Sequence, residues 1–153
     1  MLHHISIAVE NPPHVAKVLA ELWQSRALPF PLYPDCYIVF PGDQHGTAIE
    51  IYPLGRELVP GNPELPELQP VPITSRYTAT HAAVSVPLSI EQILQIADRE
   101  GWHSHHGDRK SFFQVVEFWI ENSVLLELMT PEMTQQYIAF ATPENWEQLI
   151  LQA

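Results

Sequence analysis

Two stretches of the chain alternate apolar and polar side chains, HISIAV at residues 4–9 and HAAVSV at residues 81–86. Successive side chains of a strand point to opposite faces, so each stretch predicts a strand with one apolar face and one face that carries a histidine. The other residues on the faces of His4 and His81 are serines and alanines. Such small neighbours leave room for a cleft beside each histidine.

A helical pattern follows each of these strands. After Pro12 and Pro13, apolar residues recur at helical spacing through residue 22, and proline is well placed in a first helical turn. In the second half, Ser89 and Gln92 match a capping box, and Gly101 is placed to end the helix. Further strands are predicted at residues 28–33, 36–40 and 46–53 in the first half, and at 102–106, 112–120 and 123–131 in the second.

The spacing of four residues indicates that the chain is a duplication. Glu50 follows His4 by 46 positions and Glu127 follows His81 by the same 46, so one offset of 77 relates the two pairs. Each glutamate lies in the predicted last strand of its half, within the runs AIEIYP and LLELMTP. Such internal self-similarity is the strongest guide to the fold.

A proline-rich segment separates the two halves. Residues 53–72 contain six prolines, which removes backbone donors and disfavours a helix or a central strand. The predicted organisation is a first module at 1–53, a linker at 54–79, a second module at 80–131 and a tail at 132–153. Apolar spacing in the tail predicts two short amphipathic helices, the second opened by Thr142 and Pro143.

Charge and composition exclude several classes of partner. The net charge is -11 with only seven Lys and Arg residues, so we expect no nucleic-acid partner and no anionic membrane partner. No apolar run approaches the roughly 20 residues that span a bilayer, and no targeting segment opens the chain. Cys36 is the only cysteine, which excludes an intrachain disulfide and a thiolate zinc cluster. We expect a soluble cytoplasmic protein with a small-molecule substrate.

Glu50 and Glu127 are the residues whose position most needs an explanation. An unpaired carboxylate is costly to bury within an apolar strand, and a bound cation would remove that cost. Two imidazoles and two carboxylates suit a divalent ion such as Zn, Ni, Co, Mn or Fe(II), with positions left open for substrate. We therefore predict a metal site made of His4, Glu50, His81 and Glu127.

Simpler interpretations exist for each residue taken singly. A histidine at the start of a strand is usually structural or exposed, and a strand glutamate usually faces solvent. His103, His105 and His106 could form a second metal patch, but an exposed polar strand end is the favoured interpretation. Glu117 is either an additional base or a solvated position. Cys36 has no activating partner in sequence and is interpreted as a small core residue.

The quoted motifs at 4–9, 48–53, 81–86 and 125–131 resemble the vicinal oxygen chelate superfamily, which includes glyoxalases, bleomycin resistance proteins and dioxygenases. The resemblance implies an α+β fold of two βαβββ modules in curved mixed sheets, and a homodimer. It also implies a metal-binding glutamate in the last strand of each module and a histidine in the first.

The resemblance leaves three activities open. The leading prediction is a glyoxalase-like metal-dependent lyase or isomerase that forms a metal-stabilised enediolate from a small vicinal-oxygen substrate, with Glu127 or Glu50 as the catalytic base. One alternative is a drug- or metabolite-binding protein of the bleomycin-resistance type that has no catalytic activity. The other is a ring-cleaving dioxygenase. Family members assemble the metal ligands from one chain or from two, and the sequence leaves both arrangements open.

Overall fold

A computed structural model describes residues 2–62, 65–75, 77–109 and 112–151 of the chain. The chain divides into two units: unit 1 is Met1–Thr80 with Ile120–Val124, and unit 2 is His81–Trp119 with Leu125–Ala153. The elements are β1 (His4–Val9), α1 (Pro12–Leu22), β2 (Arg26–Pro29), β3 (Tyr37–Phe40), β4 (Ala48–Pro53), β5 (Arg56–Asn62), β6 (Leu65–Pro70), β7 (Ala82–Ser85), α2 (Ile90–Glu100), β8 (Ser104–Arg109), β9 (Phe113–Ile120), β10 (Val124–Met129), α3 (Pro131–Phe140) and α4 (Pro143–Leu151).

Two four-stranded sheets have the same topology. Their strand orders are β1-β4-β3-β2 and β7-β10-β9-β8. In each sheet the first and last strands of the module pair in parallel, with Ser6 opposite Glu50 and Ala83 opposite Glu127. Because both registers obey the offset of 77, the predicted duplication holds at the level of individual strand partners. The α+β fold of two βαβββ modules is confirmed.

Each helix, α1 in the first module and α2 in the second, contributes side chains to the buried core of its module. Val15 and Ile51 are fully buried in unit 1, and Ile93, Ala97 and Phe118 are fully buried in unit 2. The capping box predicted at the start of α2 is present, and Gly101 ends the helix with a left-handed backbone at φ 67°. The sequence therefore specifies where this helix begins and ends as well as which face is buried.

Two strand predictions were displaced along the chain. The strand predicted at 28–33 lies at Arg26–Pro29, because the backbone N–H of Phe30 bonds to Cys36 and the following residues form turns. The strand predicted at 102–106 lies at Ser104–Arg109. Its start is later because Trp102 is buried and its N–H still bonds to the Ala97 carbonyl of α2.

The segment predicted as a linker contains the hairpin β5–β6, which the structure assigns to unit 1. Within the described part of the chain its two strands pair only with each other, with Leu58 opposite Leu68, and the register shifts between Val59 and Asn62 around Pro60. Each strand of a two-stranded sheet has one edge without a ladder, where proline needs no N–H. Several prolines are therefore compatible with strands here.

The tail of unit 2 forms the two predicted helices. The Thr130 side chain caps α3, in which Met133 is buried, and the ring of Tyr137 meets that of Phe113 at 5.1 Å. The backbone N–H of Asn145 bonds to the Thr142 hydroxyl at the start of α4, as the sequence predicts. Over the described part of the chain, no helix has the length and apolar character required to cross a membrane.

Candidate metal centre

The predicted pair of unit 1 is close together. His4 begins β1 and Glu50 lies in the middle of β4, with 3.8 Å between His4 Nε2 and Glu50 Oε1. Ser6 stands opposite Glu50 in the parallel register, and His4 shares the face of Ser6 two residues earlier. The strand pairing thus brings the imidazole beside the carboxylate.

Two hydroxyl groups hold the other oxygen of Glu50. Its Oε2 atom accepts hydrogen bonds from Ser6 Oγ at 2.9 Å and from the Tyr52 hydroxyl at 3.1 Å. Burial, together with the nearby Glu50 charge, raises the pKa of Tyr52 well above its usual value, so this phenol stays a donor. The Glu50 carboxylate is therefore oriented with Oε1 toward His4.

A different partner holds the glutamate of unit 2. Arg109 Nη2 donates to Glu127 Oε1 at 2.6 Å and to Glu117 Oε1 at 2.8 Å. Hydrogen bonds to these two carboxylates raise the pKa of Arg109, and the bond from Arg109 lowers the pKa of Glu117. The guanidinium thus neutralises part of the charge of two carboxylates that lie on neighbouring strands.

Gly107 provides the room that the Arg109 guanidinium occupies. A Cβ atom at Gly107 would lie 2.8 Å from Arg109 Nη1, so a side chain at this position would require the guanidinium to shift. The two residues are two positions apart in β8, so they lie on the same face of the sheet. The sequence analysis did not predict the pairing of Glu127 with Arg109. A signal for it was the glycine two positions before Arg109, in a strand that precedes the strand carrying Glu117.

The remaining histidines lie on exposed positions. His81 directly precedes β7 and is exposed. His103, His105 and His106 are exposed as predicted, and His106 Nε2 lies 3.0 Å from Gln114 Oε1. Among the described residues of either unit, no group of three or more His, Cys, Asp or Glu side chains could hold a metal ion.

The donor types of the four predicted ligands, two imidazoles and two carboxylates, nevertheless suit a divalent cation. Two ligand atoms about 2.1 Å from a tetrahedral ion are about 3.4 Å apart, which is close to the 3.8 Å between His4 Nε2 and Glu50 Oε1. Each glutamate has one oxygen held by a protein donor, as ligating carboxylates usually do. His4 and Glu50 would hold the cation in unit 1, and His81 and Glu127 in unit 2.

Cys36 is a core residue, as predicted. Its side chain is buried in a cluster with Tyr33 and Tyr52. Burial, with the charges of Asp35 and Glu50, raises the pKa of the Cys36 thiol to about 11. The thiol is therefore protonated at neutral pH and is a poor nucleophile or metal ligand.

Comparisons with known proteins identify the fold. No family model matches the chain, and no curated protein matches it. Solved structures do: fosfomycin resistance protein FosX from Mesorhizobium loti has a TM-score of 0.56 at 11% identity, covering 89% of this chain and 95% of that chain. FosX from Listeria monocytogenes, complexed with Mn(II) and sulfate ion, has a TM-score of 0.58 at 10% identity, covering 92% and 96%.

An integron cassette protein from the mobile metagenome of V. cholerae is also similar, with a TM-score of 0.53 at 15% identity over 86% of this chain and 94% of that chain. At such low identity these likenesses establish the fold and leave the activity to be argued from the site. The chain shares the fold of these proteins, and its two βαβββ modules are those that the sequence motifs predicted.

Proposed function

We propose that this chain is a metal-dependent enzyme of glyoxalase type, a lyase or isomerase that acts on a small substrate with vicinal oxygen atoms. The observation that supports it most directly is the His4–Glu50 pair, with 3.8 Å between Nε2 and Oε1. The parallel register that creates this pair recurs with Ala83 opposite Glu127. A repeated register of this kind suits a metal-binding role for the glutamate of each unit better than two unrelated polar positions.

The proposed metal ligands are His4, Glu50, His81 and Glu127. A divalent cation supplies Lewis acidity, which polarises vicinal substrate oxygens and stabilises the negative charge that develops when a neighbouring C–H proton is removed. The residues of the chain orient the carboxylates: Ser6 and Tyr52 hold Glu50, and Arg109 holds Glu127.

Glu50 is the proposed proton acceptor, because its hydrogen-bond partners tolerate a change of charge. A hydroxyl group can donate or accept, so Ser6 can turn when Glu50 takes up a proton. A guanidinium only donates and stays charged, so protonation of Glu127 would remove the negative charge that strengthens its bond to Arg109, at a cost of about 1 kcal/mol. Glu127 is therefore better suited to remain an ionised ligand throughout the reaction.

Glutamine variants test this division of roles. Protein is loaded in turn with Zn, Ni, Co or Mn. It is assayed with the hemithioacetal of methylglyoxal and glutathione, with a catechol, and with fosfomycin, since the similar FosX proteins are named as fosfomycin resistance proteins. Glu50→Gln is expected to lower kcat about 100-fold or more, as loss of a general base does. Glu127→Gln is expected to act mainly by weakening metal affinity, so that excess metal restores turnover.

Glu144→Gln is the matched control, because Glu144 lies exposed on α4. It is expected to retain full turnover. A Glu50→Gln variant that binds metal and keeps the wild-type kcat would contradict the assignment of the base. Failure of the wild-type protein to turn over any substrate while it binds metal would favour a ligand-binding role.

A binding protein without catalysis is the second candidate function. The supporting observation is that Arg109 already neutralises Glu127 in unit 2, which weakens the case for a cation at that carboxylate. In that case the protein would bind a small molecule in the absence of metal. Ligand affinity that is unchanged by a metal chelator would support this alternative.

A further inference from the structure

Unit 1 contains a cavity of about 710 Å³ beside the start of α1. Its walls come from residues 10–13, from the turn at 32–35 and from hairpin residues 66–68. Cavities of roughly 300–1,000 Å³ accommodate drug-sized molecules. Neither His4 nor Glu50 lines this cavity, so it is separate from the candidate metal ligands of unit 1 and the inference does not depend on the proposed function.

The part of the cavity wall formed by Tyr33 and Leu68 is apolar and well packed. Tyr33 is buried, and its ring centroid lies 5.8 Å from that of Tyr52. The Tyr33 hydroxyl donates to the Pro66 carbonyl at 2.8 Å, which fixes the hairpin β5–β6 against the turn. Leu68 packs against the same cluster. A ligand would therefore meet a preformed surface of aromatic rings and prolines.

The start of α1 offers no free backbone donors to this cavity. Helix N-termini usually attract anions through their unpaired N–H groups. Here Pro12 and Pro13 have no N–H, and the N–H of His14 bonds to the Asn11 side chain at 3.3 Å. The N–H groups of Glu10 and Asn11 both donate to the Glu121 carboxylate, at 2.5 and 2.8 Å. The usual anion-binding function of a helix start is thus removed.

The charged residues around the cavity favour the opposite sign of ligand. Glu10, Asp35 and Glu67 contribute three carboxylates to the lining, and Arg56 contributes one guanidinium. Tyr33 and Tyr37 add aromatic rings, whose faces attract cations. We infer that this cavity binds an organic cation, an amine or onium compound with an apolar body, through its carboxylates and tyrosine rings.

Tetraphenylphosphonium and tetraphenylborate are the probes that test this inference, because they share one shape and apolar surface but have opposite charge. Binding to the wild-type protein is measured by isothermal titration calorimetry. Tetraphenylphosphonium is expected to bind at least tenfold more tightly than tetraphenylborate. The variant Asp35→Asn/Glu67→Gln is expected to bind the cation about tenfold more weakly, because two of the three lining carboxylates lose their charge.

Two further variants separate the cavity from the general attraction of an acidic chain. Glu144→Gln/Glu147→Gln removes the same charge from exposed positions of α4 and is expected to leave affinity unchanged. Leu32→Trp adds bulk at an exposed lining position and is expected to weaken binding of the cation. Equal affinity for the two probes, or equal loss in the cavity and α4 variants, would overturn the inference. Thermal unfolding of each variant confirms that it is folded.

Discussion

Arg109 is the residue whose position could least be predicted from its neighbours in sequence. Under the repeat offset it corresponds to Leu32, so the duplication gives no reason to expect a charge there. Its role depends on the space left by Gly107 and on two carboxylates from other strands. His4, Glu50, His81 and Glu127, in contrast, were predicted as metal ligands because one sequence offset relates the two pairs, and as a ligand set they stay a prediction.

Removing the Arg109 guanidinium is expected to destabilise the protein in a pH-dependent manner. Arg109→Ala leaves Glu117 and Glu127 facing each other without a cation, at a cost of about 1–2 kcal/mol at neutral pH after allowance for partial exposure. The pKa of Glu117 is lowered in the folded protein, so this stabilisation is present above its usual value of 4.5. It is lost as the pH falls below that value through the lowered pKa of the folded state.

Urea unfolding of the wild type and of Arg109→Ala, from pH 7 down to pH 3.5, measures this difference in free energy. Arg99→Ala is the control, because Arg99 is half-exposed and pairs with the adjacent Glu100. It is expected to cost less than about 1 kcal/mol, as exposed pairs do. A deficit for Arg109→Ala that is the same at pH 7 and at pH 3.5 would show that lost packing, and not the ion pair, causes it.

The β9–β10 hairpin turn shows how one element can use an unfavourable backbone conformation. Glu121 and Asn122 both have left-handed backbones, at φ 50° and 55°, and the N–H of Ser123 bonds to the Ile120 carbonyl. These are the features of a type I′ turn, which favours glycine. Glu121 occupies this position although the conformation disfavours it, and its carboxylate accepts hydrogen bonds from the N–H groups of Glu10 and Asn11.

Replacing Glu121 by glycine is therefore expected to lower stability, although glycine suits the backbone. Glu121→Gly relieves about 1 kcal/mol of backbone strain but loses two hydrogen bonds to a charged acceptor, each of about 1.5 kcal/mol or more. Asp35→Gly is the matched control, because Asp35 is an exposed acidic residue at φ 61°. It is expected to be neutral or stabilising by up to about 1 kcal/mol. Chemical denaturation of the two variants compares them, and a Glu121→Gly variant more stable than wild type would contradict this account.

At the scale of the elements, the sequence predicted what local chemistry determines and missed what tertiary pairing determines. The capping box at Ser89 and the start of α4 at Thr142 were correct because both are local hydrogen-bond patterns. The strands within residues 54–79 were not expected. A high proline content does not exclude a two-stranded hairpin, because the outer edges of such a hairpin pair with no further strand. The shift of β8 to Ser104 follows from the burial of Trp102, which only the folded core explains.

At the scale of the whole molecule, the fold could be predicted because the sequence contains a duplication. Similar topology and register in both modules follow from motifs that recur at one offset, and solved structures at 10–15% identity share the fold. The same motifs do not specify the substrate, because residues outside the repeat, such as Arg109, also contact the candidate ligands. The homodimer and the cytoplasmic location stay predictions from the sequence.

The metal content of protein purified without an affinity tag tests the central claim most directly. After incubation with Mn, Zn, Ni or Co and removal of excess metal, the wild type is expected to retain bound metal, whereas His4→Ala and His81→Ala are expected to lose at least tenfold in affinity. His106→Ala, at an exposed position that contacts Gln114, is the control and is expected to match the wild type. Metal content that is unchanged by both His4→Ala and His81→Ala would contradict the proposed centre.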